Sequence, residues 1–322
     1  MGTAPTVLAR FRNLPASWRG GGLWFGWTMA VIATLSFSVA APIAKAAMTG
    51  GMDPNILLAM RLTLAAILLG GTLGLANPVQ LRMDGRGTRI SLLAGTANGF
   101  GMVFFFLGLS RLPASITAMI FSLSPLAVLA LLALRGEKFT YRQIIRLSLG
   151  IGGVYLLVGP DGAAGNIDWL GVFFVLGTVL LAAVHMSLLQ WFLTDYPSRS
   201  VTLYVVSMMA AVSAGLWLVQ GTPWENPGRF GWLAVILLAV VSTYISRLSL
   251  FAAVRSLGSG QMALLLPAET LLTVVWSVLF LGERLTLWQW LGGILILSSA
   301  VLAINRLRWT GRRLRLRNWS RP

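Results

Sequence analysis

The chain has 322 residues, of which 57% are hydrophobic and only 11% are charged, with a formal net charge of +16. A soluble protein of this length could not bury so much apolar surface with so few charges, so composition excludes a soluble globular domain. Cysteine is absent, which excludes disulfides, thiolate catalysis and thiolate-bound metals.

Apolar runs of about twenty residues, the length that crosses a bilayer as a helix, recur along the chain. They predict an all-α integral membrane fold of ten transmembrane helices, joined by short turns rich in Gly and Pro. The first run is too long for a signal peptide, which is therefore a weak alternative. The predicted spans, numbered 1 to 10 in chain order, are 24–47, 54–76, 90–110, 113–134, 143–159, 169–192, 200–220, 230–252, 259–281 and 287–304.

The basic residues predict how these spans are oriented. With the N-terminus in the cytoplasm, nineteen of the 25 Lys and Arg residues fall on the cytoplasmic side and three on the far side. This positive-inside bias predicts a bacterial-type inner-membrane protein with both termini cytoplasmic. The Arg-rich tail, 305–322, is expected to contact anionic lipid rather than nucleic acid. Three cations remain at membrane depth: Lys45, Arg61 and Arg247.

Spans 1 to 3 carry the first polar candidates. Lys45 lies near the end of span 1, where it can reach the membrane surface. Arg61 in span 2 is either an anchor for a substrate carboxylate or a residue of packing and charge balance. Asn98 lies in a Gly- and Phe-rich part of span 3 that suits the lining of a cavity. Gly95 and Gly99 beside it favour close helix packing.

Spans 6 to 9 carry the second group. His185, the only histidine, is a candidate for proton coupling or substrate contact, or a hydrogen-bonded packing residue. Arg247 is expected near the cytoplasmic end of span 8, within reach of the surface. Glu269 in span 9 is the only acid deep in a span. It is either a substrate-amine or proton site, or half of an ion pair with Arg61 or Arg247. Helical spacing aligns it with Met262, Thr273 and Trp276.

Three prolines fall inside predicted spans: Pro42 in span 1, Pro125 in span 4 and Pro267 in span 9. Each removes a backbone donor from its helix, so each is a hinge candidate or a passive kink.

An internal repeat organises the chain. Residues 136–140, GEKFT, return 146 residues later as GERLT at 282–286. Five predicted spans separate the copies, so they must lie on opposite sides of the bilayer. This predicts two inverted-topology five-helix repeats, a layout that many secondary transporters use. The expected divisions are a basic N-terminus (1–23), repeats at 24–160 and 161–304, and the tail at 305–322.

The motifs RGEKFT and LGERLT each follow a proline-containing span, SLSPLAVLALLAL and LLLPAETLLTVVWSVLF. With LLAMRLTLAAILL in span 2 and AAVRSLGSGQMALL before span 9, they resemble the drug/metabolite transporter (DMT) superfamily, specifically its EamA-type ten-span members. The resemblance implies a transporter with a central cavity between the halves, often an exporter of amino acids or related metabolites. Amino-acid exporters of the YddG type are the nearest structural parallel.

We therefore expect a secondary transporter that works as a single chain by alternating access, with no enzymatic activity, cofactor or metal. A zwitterionic amino acid suits the expected charges, Arg61 for its carboxylate and Glu269 for its ammonium. Glu269 and His185 are the candidates for proton coupling. Nucleosides, sugars and cationic drugs remain alternative substrates, and a lipid-modifying membrane enzyme or a receptor is disfavoured. The residues expected around the cavity are Glu269, Arg61, His185, Asn98, Tyr244 and Trp276.

Overall fold

The computed structural model describes residues 23–76, 78, 82–134, 141–158, 168–193, 196–224, 226–257, 265–299 and 301–302. Every regular element within these ranges is a helix, so the all-α prediction is confirmed. The first motif copy, 136–140, and Met262 lie outside the described residues.

Within these ranges, ten apolar helical spans follow one another in the predicted order. Spans 1, 2, 3, 6, 7 and 8 are long enough to cross a bilayer by length and composition, and the described apolar parts of spans 4, 5, 9 and 10 are shorter. The helices are Leu23–Ser38 and Ala40–Thr49 (span 1), Pro54–Ala76 (2), Gly85–Arg111 (3), Ala114–Phe121 and Ser124–Leu134 (4), Tyr141–Val158 (5), Trp169–Phe192 (6), Ser198–Gln220 (7), Gly228–Ala239, Val240–Ile245 and Ser246–Leu257 (8), Leu266–Leu281 (9) and Leu287–Ser299 (10).

Contacts between span ends agree with alternating crossings. Asn55, at the start of span 2, donates to Gln220 at the end of span 7, with 2.8 Å between Nδ2 and Oε1. On the predicted cytoplasmic side, the Tyr196 hydroxyl donates to Asp84 at 3.0 Å. This bond joins the turn before span 7 to the turn before span 3. Ends that should share a side of the membrane therefore meet.

Span packing has an internal symmetry. Span 3 packs on spans 6 and 7, and span 8 packs on spans 1 and 2. Span 4 contacts spans 6 and 9, while span 9 also contacts span 1, and span 2 contacts span 7. Exchanging every span for the one five positions later reproduces this set of contacts. The core is thus built between the two halves rather than within each of them.

Glycines allow the closest crossings. A Cβ on Gly95 would lie 2.7 Å from Met208 Cβ, and one on Gly99 would lie 3.0 Å from Val212 Cβ, so this pair packs span 3 on span 7. A Cβ on Gly153 of span 5 would lie 2.8 Å from the carbonyl oxygen of Gly292 in span 10, and the reverse distance is 2.6 Å. Neither crossing has room for a side chain.

Two of the three predicted prolines lie just after a break in their span. The span 1 helix stops at Ser38, and Pro42 has no N–H to give the Ser38 carbonyl its usual bond. Span 4 breaks at residues 122–123, before Pro125. The Ser124 hydroxyl donates to the Phe121 carbonyl, to which Pro125 has no N–H to donate.

Pro267 differs from the other two. In the described part of span 9 it lies in the first turn of the helix, where an N–H would have no intrahelical acceptor. Its bending role within a longer helix, as the sequence predicts, stays a prediction.

Candidate substrate site

Arg61 is buried in span 2, with only 4% of its surface exposed. Its guanidinium carbon lies 5.1 Å from the centre of the Phe106 ring, which belongs to span 3. The Nε atom is buried and has no hydrogen-bond partner among the described residues. A cation–π contact holds one face of the guanidinium and leaves its edge N–H groups for an in-plane acceptor.

Arg247 lies in the first turn of the last helix of span 8, and its Nε is likewise buried without a partner in the described structure. Its charge interacts with that of Arg61 and with His185. This placement corrects the expectation that Arg247 reaches the membrane surface. The two arginines, called the arginine pair below, are like charges on spans 2 and 8, which pack against each other, and the two charges interact.

A π-helical segment, Val240–Ile245, precedes Arg247 directly. Hydroxyls satisfy the carbonyls that this wider turn loosens: Ser242 and Thr243 both donate to the Leu238 carbonyl, at 2.7 and 3.0 Å, and Ser246 donates to the Ser242 carbonyl at 2.6 Å. A π segment adds a residue to the helix, which rotates the residues after it by about 100°. That rotation is why the regular spacing of span 8 does not predict the direction of Arg247.

His185 lies in span 6 and is 5% exposed. Its Nδ1 is 2.9 Å from the carbonyl oxygen of Ala94 in span 3, so with the proton on Nδ1 it donates across the interface. One turn along span 3, Asn98 Nδ2 lies 3.1 Å from the Met209 sulfur of span 7. Both side chains therefore join span 3 to the second half of the chain.

Glu269 lies in the first turn of the described span 9 helix, where the helix dipole favours a negative charge. It forms no ion pair with Arg61 or Arg247, since the one ion pair found among the described residues joins Arg111 to Asp168. The structural ion pair considered as an alternative is therefore not formed here.

The face of span 9 that carries Glu269 meets the break in span 1. Thr273, one turn after Glu269, donates to the Ser38 carbonyl at 3.0 Å, the same carbonyl that Pro42 leaves without a donor. Trp276 Nε1 donates to the Ser38 hydroxyl at 3.0 Å, and its ring stacks on Phe280 with 5.6 Å between centroids.

The structure thus places five of the six predicted residues in two groups, and Asn98 is the sixth. Arg61 and His185 share the surroundings of Arg247 between spans 2, 3, 6 and 8, and Tyr244 packs beside Ala65 and Leu69 of span 2. Glu269 and Trp276 form the second group, against span 1. Sequence reasoning missed Ser38 and the inward direction of Arg247. The proline four residues after Ser38 was the available signal for the first, and the second had none.

The GERLT motif lies at a rim of the molecule and binds three helices together. Gly282, at φ 67°, ends span 9 in the left-handed conformation that glycine adopts without strain. Glu283 then caps span 4: it accepts from the Ala114 amide at 2.6 Å, from the Ser115 amide at 3.0 Å and from the Ser115 hydroxyl. Thr286 and Gln289 form a reciprocal capping box at the start of span 10.

Other charges at this rim are also partnered. The Lys45 ammonium donates to the carbonyls of Leu109 and Ser110 at the end of span 3, at 2.7 and 3.1 Å, and its charge interacts with Glu283. Arg111 forms a 2.7 Å ion pair with Asp168. The hydrogen bond from Arg111 lowers the pKa of Asp168. We call Lys45, Arg111, Asp168 and Glu283 the Glu283 rim.

A shallow open pocket lies elsewhere, at the start of span 8. It is lined by Asn226, Gly228, Arg229, Trp232, Leu233 and Ile236, and none of the predicted site residues contributes to it. The described residues also contain no group of three or more His, Asp or Glu side chains that could hold a metal ion.

Comparison with known proteins agrees with this architecture. The chain is 27% identical over 209 residues to the uncharacterized transporter YvbV of Bacillus subtilis, a match that covers 62% of this chain and 65% of that one, slightly under two thirds. It is 24% identical over 227 residues to an uncharacterized transporter of Archaeoglobus fulgidus, with 70% and 80% coverage. It is 24% identical over 200 residues to the uncharacterized inner membrane transporter YicL of Salmonella typhimurium, with 62% and 66% coverage.

A crystal structure of another protein has the same fold, with a TM-score of 0.62 over 88% of this chain and 98% of the other, at 21% identity. The EamA-like transporter family matches the sequence twice, at residues 24–159 and 169–305. The chain therefore belongs to the EamA-like transporter family and is a multi-pass membrane transporter.

Proposed function

We propose that this transporter exports amino acids across a bacterial-type cytoplasmic membrane by alternating access, with both termini in the cytoplasm. Its units are the repeats at 24–160 and 161–304, flanked by the basic segments 1–23 and 305–322. The nineteen-to-three distribution of basic residues supports the orientation.

One observation carries the amino-acid assignment. Opposite charges lie within the spans without neutralising one another: Arg61 is buried on span 2 and Glu269 lies on span 9, and the described residues show no ion pair between them. Unpaired charges in a membrane interior are unfavourable unless water or a ligand compensates them. A zwitterion supplies both missing partners, its carboxylate for Arg61 and its ammonium for Glu269, in a state of the transport cycle in which the two groups of residues face one cavity.

The remaining candidates have subsidiary roles in this proposal. Trp276 and the aromatic and methionine side chains near Asn98 receive the apolar part of the substrate. His185 or Glu269 carries a coupling proton. Pro42, Pro125 and Pro267 are the positions where spans bend as the halves move, and the breaks before Pro42 and Pro125 support this use.

The test is flux in proteoliposomes loaded with a mixture of labelled amino acids, with and without a pH gradient. We expect release of selected amino acids, with transport reduced at least about tenfold in Glu269→Gln, which removes the charge but keeps the shape. Asp53→Asn is the matched control, because Asp53 caps span 2 outside the membrane and an amide can still accept from Asn55 and Ile56.

Each result has a definite meaning. Faster release under a pH gradient, lost in Glu269→Gln or in His185→Asn, assigns the coupling proton to that residue. Unchanged flux in Glu269→Gln removes Glu269 from the site. If no amino acid is released under either condition, the amino-acid assignment is wrong and nucleosides, sugars and cationic drugs are the next substrates to load.

A further inference from the structure

Arg61 is buried and Arg247 is partly buried, and neither cation has a compensating anion among the described residues. The Nε atoms of both are buried and unpartnered, and the two charges act on one another. In the whole sequence Glu269 is the only acid within a predicted span, and it pairs with neither. No carboxylate elsewhere in the spans can therefore neutralise the arginine pair.

Two like charges in a medium of low dielectric constant raise the free energy of the folded protein. An anion bound between the two arginines attracts each of them, and this attraction offsets their mutual repulsion. The unfavourable electrostatic free energy of the two arginines is therefore lowered when an anion binds, which favours an anionic ligand over a neutral one.

The local geometry suits such a ligand. Phe106 covers one face of the Arg61 guanidinium, so its remaining donors lie in the plane, in the fork that matches carboxylate or phosphate oxygens. On span 8, the hydroxyls of Ser242, Thr243 and Ser246 are occupied by carbonyls of their own helix. The cation that follows the segment, Arg247, is the group that remains to meet a ligand.

From these observations we infer that Arg61 and Arg247 together form one binding site for an anionic group of the substrate, a carboxylate or a phosphate, between spans 2 and 8. The inference rests on the proposed function as a transporter and extends it in two ways. Arg247 becomes a substrate-binding residue, and an anionic group becomes a requirement for transport, so cations that lack one are excluded as substrates.

The test uses the full-length protein purified in detergent and measures its thermal stability at constant ionic strength. The probes are L-leucine, L-phenylalanine and L-threonine, each against its carboxamide, together with inorganic phosphate. A ligand that binds the native state raises the unfolding temperature. We expect stabilisation by at least one amino acid or by phosphate, and none by the carboxamides, which keep the ammonium and side chain but lose the anion.

Arg61→Gln and Arg247→Gln should each weaken the response at least about tenfold in ligand concentration, since each removes a charged hydrogen-bond donor. Arg199→Gln, at an exposed position at the start of span 7, is the matched control and should respond as the wild type does. Arg61→Lys tests the fork if Arg61→Gln does not fold, because it keeps the charge and loses the planar donors.

A second measurement separates a binding role from a packing role. Arg247→Met should raise the ligand-free unfolding temperature by on the order of 2 °C, because it removes the repulsion between the pair. A packing role predicts a fall instead, and such a fall would overturn the inference. Equal stabilisation by acids and carboxamides, no stabilisation by any probe, or a wild-type response in Arg247→Gln would overturn it too.

Failure of the inference can be told from failure of the proposed function. Amino-acid flux that is undiminished in Arg247→Gln leaves the exporter proposal intact and removes the arginine pair. Stabilisation by phosphate alone, lost in both glutamine variants, supports the pair and discards amino acids as the substrate.

Discussion

The Glu283 rim and the arginine pair use charge in opposite ways. At the rim, Lys45, Arg111, Asp168 and Glu283 each have a partner in the protein, and those partners are helix ends or one another. At depth, the Nε atoms of Arg61 and Arg247 have none among the described residues. Partnered charges at helix ends stabilise the scaffold, whereas unpartnered charges inside it lower stability and remain available to a ligand. Substitutions at the rim should therefore affect folding, and substitutions at depth should affect transport.

The largest expected effect at the rim is that of Glu283→Ala. It leaves the Ala114 and Ser115 amides without an acceptor and removes a negative charge from a helix N-terminus, at a cost of about 2–3 kcal/mol. The unfolding temperature of the purified protein should fall by several degrees. Glu283→Gln keeps one acceptor oxygen, so its unfolding temperature should lie between those of the wild type and Glu283→Ala. An unfolding temperature equal to wild type would show that the cap contributes nothing.

Lys45→Met should have the next effect, about 1–2 kcal/mol. The methionine keeps the apolar stem and loses the two bonds to the span 3 carbonyls and the charge at that helix end. Flux per folded molecule should be unchanged in the same preparation. A loss of flux without a loss of stability would place Lys45 with the substrate residues and break the division between rim and depth.

Thr273→Val sharpens the comparison at the boundary between the two regions, with an expected cost of about 1 kcal/mol. The valine is nearly isosteric but leaves the Ser38 carbonyl without the hydroxyl that compensates for Pro42. Thr273→Ser retains the hydroxyl and is the control. Comparing their unfolding temperatures measures the contribution of the Thr273 hydroxyl, which also lies 3.0 Å from the Glu269 carbonyl oxygen, and identical values for the two variants would contradict that contribution.

The smallest effect belongs to the exposed pair of Arg111 and Asp168. Because Arg111 lowers the pKa of Asp168 below 3.8, this pair adds stability above that pH, and the contribution is lost as the pH falls through the lowered value. Asp168→Asn should be slightly less stable than wild type at pH 7, and the difference should shrink as the pH falls below 3.8 and in high salt. A difference that grows in acid would contradict this sign.

The sequence predicted the number, order and type of the spans because each is a long apolar run between Gly- and Pro-rich turns. Span 2 was predicted at 54–76 and observed as Pro54–Ala76, and span 6 was predicted at 169–192 and observed as Trp169–Phe192. The sequence also showed the repeat, and its motif indicated inverted topology and a family resemblance but no structural role. In its described copy, GERLT supplies a helix end and two caps, roles that depend on contacts with a distant span.

Interruptions within spans were harder to predict. Pro42 and Pro125 signalled two of them, although each break lies two to four residues before its proline. The π segment VVSTYI contains neither proline nor glycine, so nothing in its pattern separates it from an ordinary apolar helix. The direction of Arg247 depends on that segment, which explains why the sequence suggested Arg61 and Glu269 but assigned Arg247 to the membrane surface.

The crossing of spans 5 and 10 at Gly153 and Gly292 has a consequence for the motion of the two halves. Each glycine leaves no space for a Cβ against the other backbone, so neither span can tilt far toward its partner without a clash. One of these spans comes from each half. In the proposed transport cycle, the separation of spans 5 and 10 at this contact stays nearly constant while the other spans move relative to it.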